Sequence, residues 1–109
     1  MYLQKFEVKN KTALVTGAGK GIGKASAIAL AEAGADLIIL SRTVDDLNKV
    51  KKKIIELKRK CTVFKCDISN YEEVKSVFKK ISKLDILVNN AGTNRPDHFT
   101  KITKEDMDY

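Results

Sequence analysis

Two cysteines, one histidine, one proline and no tryptophan among 109 residues remove several classes of function at the outset. A zinc site needs about four ligands in close spacing, and a single histidine with Cys61 and Cys66 does not supply them. The two cysteines flank one extended stretch, which sets them on opposite faces and about 16 Å apart along the chain. No disulfide can join thiols so placed. Unbridged cysteines point to a reducing, cytosolic compartment, so the localisation expected is cytoplasmic. No apolar run approaches the length of about 20 residues that crosses a bilayer, and the mixed, charged start, residues 1–11, has no signal-peptide core. No membrane association is expected. With aromatic residues at 6%, cations and rings are not interleaved as they are where nucleic-acid bases stack.

What the chain does have is enough apolar content, 43%, to bury a small core, and a net charge of +7. The charge invites a nucleic-acid reading, because Lys49, Lys51, Lys52, Lys53, Lys58, Arg59 and Lys60 crowd one stretch. That stretch also carries Leu47, Val50, Ile54 and Leu57 at helical spacing, so the cations fall on the solvated side of an amphipathic helix. Lysine outnumbers arginine, whose fork suits phosphate and base edges better. No nucleic-acid partner is expected.

The glycines concentrate in Thr16-Gly17-Ala18-Gly19-Lys20-Gly21-Ile22-Gly23, between a strand-like run, Thr12–Thr16, and an alanine-rich helical stretch, Ile22–Ala33. A strand-to-helix turn is where an anion belongs, since the helix start offers unpaired N–H groups and the positive end of its dipole. Side chains at Gly17, Gly21 or Gly23 would obstruct the turn, the approach of a pyrophosphate, or the packing of helix on strand. The general dinucleotide fingerprint G-x-G-x-x-G does not fit from Gly17 or from Gly19, because Ile22 or Lys24 falls where the last glycine should stand. The P-loop pattern fails as well. What remains is T-G-x-x-x-G-x-G. A second strand-like run, Leu84–Val88, ends in Asn89-Asn90-Ala91-Gly92.

These two motifs, in this order and at this distance, resemble the short-chain dehydrogenase/reductase family, and the resemblance covers essentially the whole chain. It implies a nicotinamide cofactor held by Gly17, Gly19, Lys20, Gly21, Ile22 and Gly23, with Asn90, Ala91 and Gly92 near the ribose and the central sheet. It also implies hydride transfer between that cofactor and a small-molecule carbonyl or secondary alcohol, and a homo-oligomer when complete. The cofactor supplies the hydride, and the protein fixes geometry and a proton donor. Family members are much longer, so residues 1–109 read as the N-terminal part of one Rossmann-type domain, incomplete at its C-terminus.

Strands Thr12–Thr16, Asp36–Leu40, Thr62–Cys66 and Ile86–Asn89 alternate with helices Ile22–Ala33, one near Val44–Lys60, and one with Val74, Val77, Phe78 and Ile81 on its apolar face. Gly34 is the expected stop of the first helix. Ser69 with Glu72 would cap the third, and Thr103 with Asp106 would open a fourth. The fold class is therefore α/β, a doubly wound parallel sheet of Rossmann type, truncated, with strand order 3-2-1-4. A strand such as Ile86–Val88 should be buried on both faces and paired on both edges.

An NAD site usually has an acid at the end of the second strand. Here that strand runs into Ser41-Arg42-Thr43, with Asp45 and Asp46 placed later, at the start of the next helix. Arg42, with Lys20 on the other side, suits a 2′-phosphate, so NADP is expected over NAD. The alternative is that both are solvated cations, which leaves the choice open. Asp67-Ile68 matches the family position that meets the adenine amino group, and Asp67 is equally suited to a local turn before the next helix. Tyr71-Glu72-Glu73-Val74-Lys75 mimics the family's catalytic Tyr-x-x-x-Lys but precedes N-N-A-G and belongs to the adenine side, out of reach of a substrate. No catalytic serine, tyrosine or lysine stands at a matching place, so the chain alone is expected to be inactive. Thr93-Asn94-Arg95-Pro96 follows N-N-A-G, where Arg95 could meet an anionic substrate, but a solvated loop is the reading expected. Two other readings stay open: a short nucleotide-binding or interaction module without catalysis, and a basic nucleic-acid binder.

Overall fold

A computed structural model describes residues 8–90. Strands and helices alternate in the order β1 (Thr12–Thr16), α1 (Gly21–Glu32), β2 (Asp36–Ser41), α2 (Val44–Glu56), β3 (Cys61–Lys65), α3 (Tyr71–Lys79) and β4 (Ile86–Val88). The strands form one sheet in the order β3-β2-β1-β4, every neighbouring pair parallel. This is the expected 3-2-1-4 arrangement. Register places Leu14 beside both Ile38 and Leu87, so the central strand aligns its side chains with neighbours on each edge.

Side chains alternate across a strand, and with helices on both faces both sets are buried, which is why the strands read as continuous apolar runs. Ala13, Val15, Leu37 and Ile39 pack beneath Ala27, Leu30 and Ala31 of α1 and Leu47, Val50 and Ile54 of α2. On the other face Leu14, Ile38 and Leu40 meet Val74, Val77, Phe78 and Ile81. Each fully buried leucine, isoleucine or phenylalanine contributes about 1.5–3 kcal/mol. Cys61 belongs to the first core and Cys66 to the second, both as free thiols, as their spacing required. Among the described residues β4 pairs only with β1, and Leu87 on it is 39% exposed.

The helix ends show what the sequence pattern missed. Helix α1 closes with the Gly34 N–H on the Ala31 carbonyl and the Ala35 N–H on the Leu30 carbonyl, both at 3.0 Å, around Gly34 at φ +105°. This is the expected glycine stop. Helix α2 ends at Glu56, short of the Lys60 expected, in the same pair of bonds: Lys58 N–H to Ile55 O (2.9 Å) and Arg59 N–H to Ile54 O (3.3 Å). Here the left-handed residue is Lys58, at φ +67°. Leu57 consequently leaves the buried stripe and is partly exposed.

The cap of α3 is also displaced by one residue from the Ser69–Glu72 pair expected. Asn70 is the N-cap and accepts the Glu73 N–H at 3.2 Å, while Glu73 accepts the Asp67 N–H at 3.1 Å. Ser69 is drawn to Asp67 instead. Strand β3 begins and ends one residue earlier than expected, β2 extends to Ser41, and β4 stops at Val88. The expected helix at Thr103 and Asp106 lies outside the described residues.

Candidate functional site

Parallel strands deliver their carboxyl ends to one edge of the sheet, so Thr16, Ser41, the Cys66-Asp67 corner and Val88–Asn90 are gathered there with the glycine turn. The turn leaves β1 through Gly17 at φ +60° and enters α1 through Gly21 at φ +57°, left-handed values that favour glycine. Gly23 has a different reason to be glycine. A Cβ there would lie 2.0 Å from the Gly17 carbonyl oxygen, so the first turn of α1 sits directly on the chain leaving β1. At Gly19 a Cβ would come 2.9 Å from Cβ of Asp46 and 3.7 Å from Oγ of Ser41, which brings β2 and α2 against the turn.

The start of α1 supplies no cap or acid of its own. Its N-cap, Lys20, makes no side-chain capping bond, and its first turn contains no acid. By contrast, α2 begins with Asp45 and Asp46, and α3 is capped by Asn70 and carries Glu72 and Glu73. Of the described helices, only α1 has neither a side-chain cap nor an acid in its own first turn to meet its first N–H groups and its dipole. Ile22, in that turn, is 76% exposed, a large apolar side chain offered to whatever binds there.

Thr16 links the two motifs. Its hydroxyl accepts the Asn90 N–H at 2.8 Å and lies 3.0 Å from Asn89 Oδ1, to which it can donate. The Asn90 side-chain nitrogen is buried with no hydrogen-bond partner among the described residues, a donor that a ribose oxygen would satisfy. Ala91 and Gly92, and Arg95 and Pro96 beyond them, lie outside the described residues.

At the end of β2, Ser41 Oγ accepts the Thr43 N–H at 2.9 Å and so shapes the loop, while Arg42 is exposed. The sequence put no carboxylate at this corner, whereas the fold brings one there from α2: Asp46 Oδ2 stands 3.7 Å from Lys20 Nζ. No residue-type signal marks it, because the contact depends on how the first turn of α2 packs against Gly19. Asp67 adopts the local-turn role open to it, its Oδ1 accepting the Ser69 hydroxyl at 2.7 Å and the Ser69 N–H at 2.9 Å. Those two bonds hold its pKa below the usual carboxylate value, with the Arg42 charge adding to them. Ile68, beside it, is buried in the α3-side core.

Other chemistry is sparse. Burial pushes the Cys66 thiol up to about 11, with the Glu73 and Asp67 carboxylates adding to the effect, and burial raises Cys61 to about 11 against the opposing charge of Lys51. Neither is a thiolate near neutral pH. Tyr71 and Lys75 lie one turn apart on α3, the ammonium 5.8 Å from the ring centre, an ordinary helix-surface contact. No group of three or more histidine, cysteine, aspartate or glutamate side chains among the described residues is placed to hold a metal. No helix among them is long and apolar enough to cross a membrane.

Comparison with known proteins agrees with this geometry. Residues 11–109 match the family described as short chain dehydrogenase. The chain is 44% identical over 96 residues to 2-dehydro-3-deoxy-D-gluconate 5-dehydrogenase of Pseudoalteromonas atlantica, covering 84% of this chain and 38% of that protein. The crystal structure of hydroxysteroid dehydrogenase from Escherichia coli superposes with a TM-score of 0.75 at 37% identity, over 83% of this chain and 40% of that one. Two similar structures carry cofactors. One is a metagenomic short-chain oxidoreductase in complex with NADP, with 31% identity, a TM-score of 0.74 and coverage of 79% of this chain and 41% of that one. The other is NAD+-bound xylitol dehydrogenase, with 35% identity, a TM-score of 0.74 and coverage of 80% and 35%. The chain spans about two-fifths of the length of the relatives it matches.

Proposed function

This chain belongs to the short-chain dehydrogenase family, and from that premise we propose that it is the NADP(H)-binding part of an oxidoreductase acting on a small carbonyl or secondary alcohol. In this reading residues 1–109 are the N-terminal part of a single Rossmann-type domain. The observation that carries it is the glycine turn: the only described helix start without a side-chain cap or acid is also the one where a Cβ would strike backbone. A pyrophosphate would take the N–H groups at Gly21, Ile22 and Gly23, with Gly17 and Gly19 keeping side chains out of its way. The bound nicotinamide supplies or accepts a hydride. This chain's residues bind and orient: Asn90 offers its unpartnered amide nitrogen to a ribose oxygen, and Ile22 gives an apolar contact. Ala91 and Gly92 complete the motif beside Asn90, and Asp67 and Ile68 border the adenine.

The preference for NADP rests on Lys20 and Arg42, on either side of the corner where a 2′-phosphate would lie, with Ser41 between them. Lys20 is held only by a weak, exposed ion pair with Asp46, Arg42 is exposed, and similar proteins are found with either cofactor. The lysines of α2 are a solvated helix face above Leu47, Val50 and Ile54, so nucleic acid is not part of this reading. The complete protein is proposed to be a cytoplasmic homo-oligomer, and this chain alone to lack catalysis for want of the serine, tyrosine and lysine.

Titration calorimetry on the 109-residue chain, with folding verified by circular dichroism, tests the reading. NADPH should bind, and NADH should bind more weakly. Absence of binding by either cofactor to the folded chain would overturn it, and tighter binding of NADH would overturn the NADP preference.

A further inference from the structure

We propose that Asp46 is a specificity-determining residue that competes with a cofactor 2′-phosphate for Lys20 and so narrows the chain's preference for NADPH over NADH. The inference rests on the cofactor reading above. It starts from an asymmetry in the ion pair: Lys20 is 83% exposed and Asp46 22%, so the carboxylate is the fixed member and the lysine the mobile one. Asp46 is fixed for two reasons. It lies in the first turn of α2, where the helix dipole favours a negative charge, and its Cβ is seated against Gly19, with no room for even a methyl group between them.

The ammonium of Lys20 lies 3.7 Å from Asp46 Oδ2, within ion-pair range and beyond good hydrogen-bond length. An exposed pair of this kind is weak, so a phosphate can displace it. The displacement is not free of cost. A 2′-phosphate entering the corner must take Lys20 from Asp46 and then sit near the carboxylate it has displaced. A cofactor with a bare 2′-hydroxyl meets neither penalty. Lys20 therefore favours the phosphate and Asp46 offsets part of that preference, which makes the ratio of affinities a property of the pair.

Charge alone does not single out Asp46, because Asp45 occupies the same helical turn. Asp45 is exposed and forms no ion pair with Lys20, so it shares the helix-end environment but not the contact. That difference supplies the control.

NADPH and NADH affinities are measured by calorimetry at low and high salt for the full chain and for Asp46→Asn, Asp45→Asn, Lys20→Met and the Lys20→Met/Asp46→Asn double variant. Folding of each is checked by circular dichroism, and Asp46→Ser replaces Asp46→Asn should the latter not fold. Asp46→Asn should tighten NADPH by about threefold to tenfold, leave NADH unchanged, and lose most of its effect at high salt. Asp45→Asn should change little, and the gain from Asp46→Asn should shrink once Lys20 is methionine, to the part that comes from direct repulsion between the Asp46 carboxylate and the phosphate. An unchanged NADPH affinity in Asp46→Asn, or an equal gain from Asp45→Asn, would overturn the proposal while leaving the cofactor reading intact. A loss of NADH affinity without a gain for NADPH would overturn it too, by making Asp46 a direct acceptor for the ribose hydroxyl. Failure of the unsubstituted folded chain to bind either cofactor would remove the cofactor reading itself.

Discussion

At Gly21 and Gly23, two glycines of one turn are required for different physical reasons, and substitution separates them. Gly21 needs its left-handed φ of +57°, but a Cβ there meets nothing within 4 Å. Gly21→Ala should therefore cost about 1–2 kcal/mol of backbone strain and leave the turn open. At Gly23 the added carbon would collide with the Gly17 carbonyl, a backbone atom that cannot move without displacing α1 from β1. Gly23→Ala should cost about 3 kcal/mol and abolish NADPH binding, read by urea denaturation and by titration of the folded fraction. Asp67 gives a second test at this scale. Its pKa is held down first by the Ser69 hydroxyl, then by the Ser69 N–H, with Arg42 contributing less. A carboxylate whose folded pKa is depressed stabilises the fold above its unfolded pKa, and that contribution fades as pH falls through the folded value. In Ser69→Ala the Asp67 midpoint should move up toward the ordinary value without reaching it, because the backbone N–H remains; carboxyl NMR titration reads the change.

The elements show which features of the sequence carried structural information and which did not. Helix α1 and helix α2 end in the same hydrogen-bond pattern, but only α1 uses glycine for the left-handed residue, so only its end was legible. Lys58 looks like one more cation in a charged run. Its φ of +67° is imposed by the chain turning into β3 and by the backbone bonds at Ile54 and Ile55, none of which leaves a trace in residue type. Lys58→Gly should relieve this strain against the entropy that glycine adds to the unfolded chain, for a net gain of about 0.5–1 kcal/mol, measured as a rise in the urea midpoint. The α3 cap was misplaced for a related reason. Serine, asparagine and aspartate crowd Asp67–Asn70 and any could cap, but Asp67 captures Ser69 and leaves Asn70 to cap the helix. Strand order and the two core faces were readable because apolar periodicity and right-handed crossovers leave few alternatives. The glycine turn and the Asn89-Asn90 corner were readable as motifs, whereas Asp46 beside Lys20 was not, since that contact depends on how α2 returns across the sheet.

For the molecule as a whole, the sheet divides the interior into two cores, and each holds one thiol: Cys61 under α2 and Cys66 toward α3. Both are raised from 9.0 to about 11, chiefly by burial, so the folded state holds these protons more tightly than the unfolded chain does. The sign of the linkage follows. Each thiol stabilises the fold fully below pH 9, and the contribution is lost as pH rises through about 11. Urea midpoints measured from pH 8 to pH 11 should fall more steeply for the unsubstituted chain than for Cys61→Ala/Cys66→Ala, even though the double variant starts lower because its cores contain cavities. Each single variant should remove part of the slope, and the two parts should add, because the thiols lie on opposite sides of the sheet and share no partner. Additive slopes with one common transition would mean that β1 and β2, which contribute to both cores, bind them into a single cooperative unit. Two separate transitions, each sensitive to one thiol, would mean that the α3 side opens independently of the side on which α1 and α2 support the glycine turn.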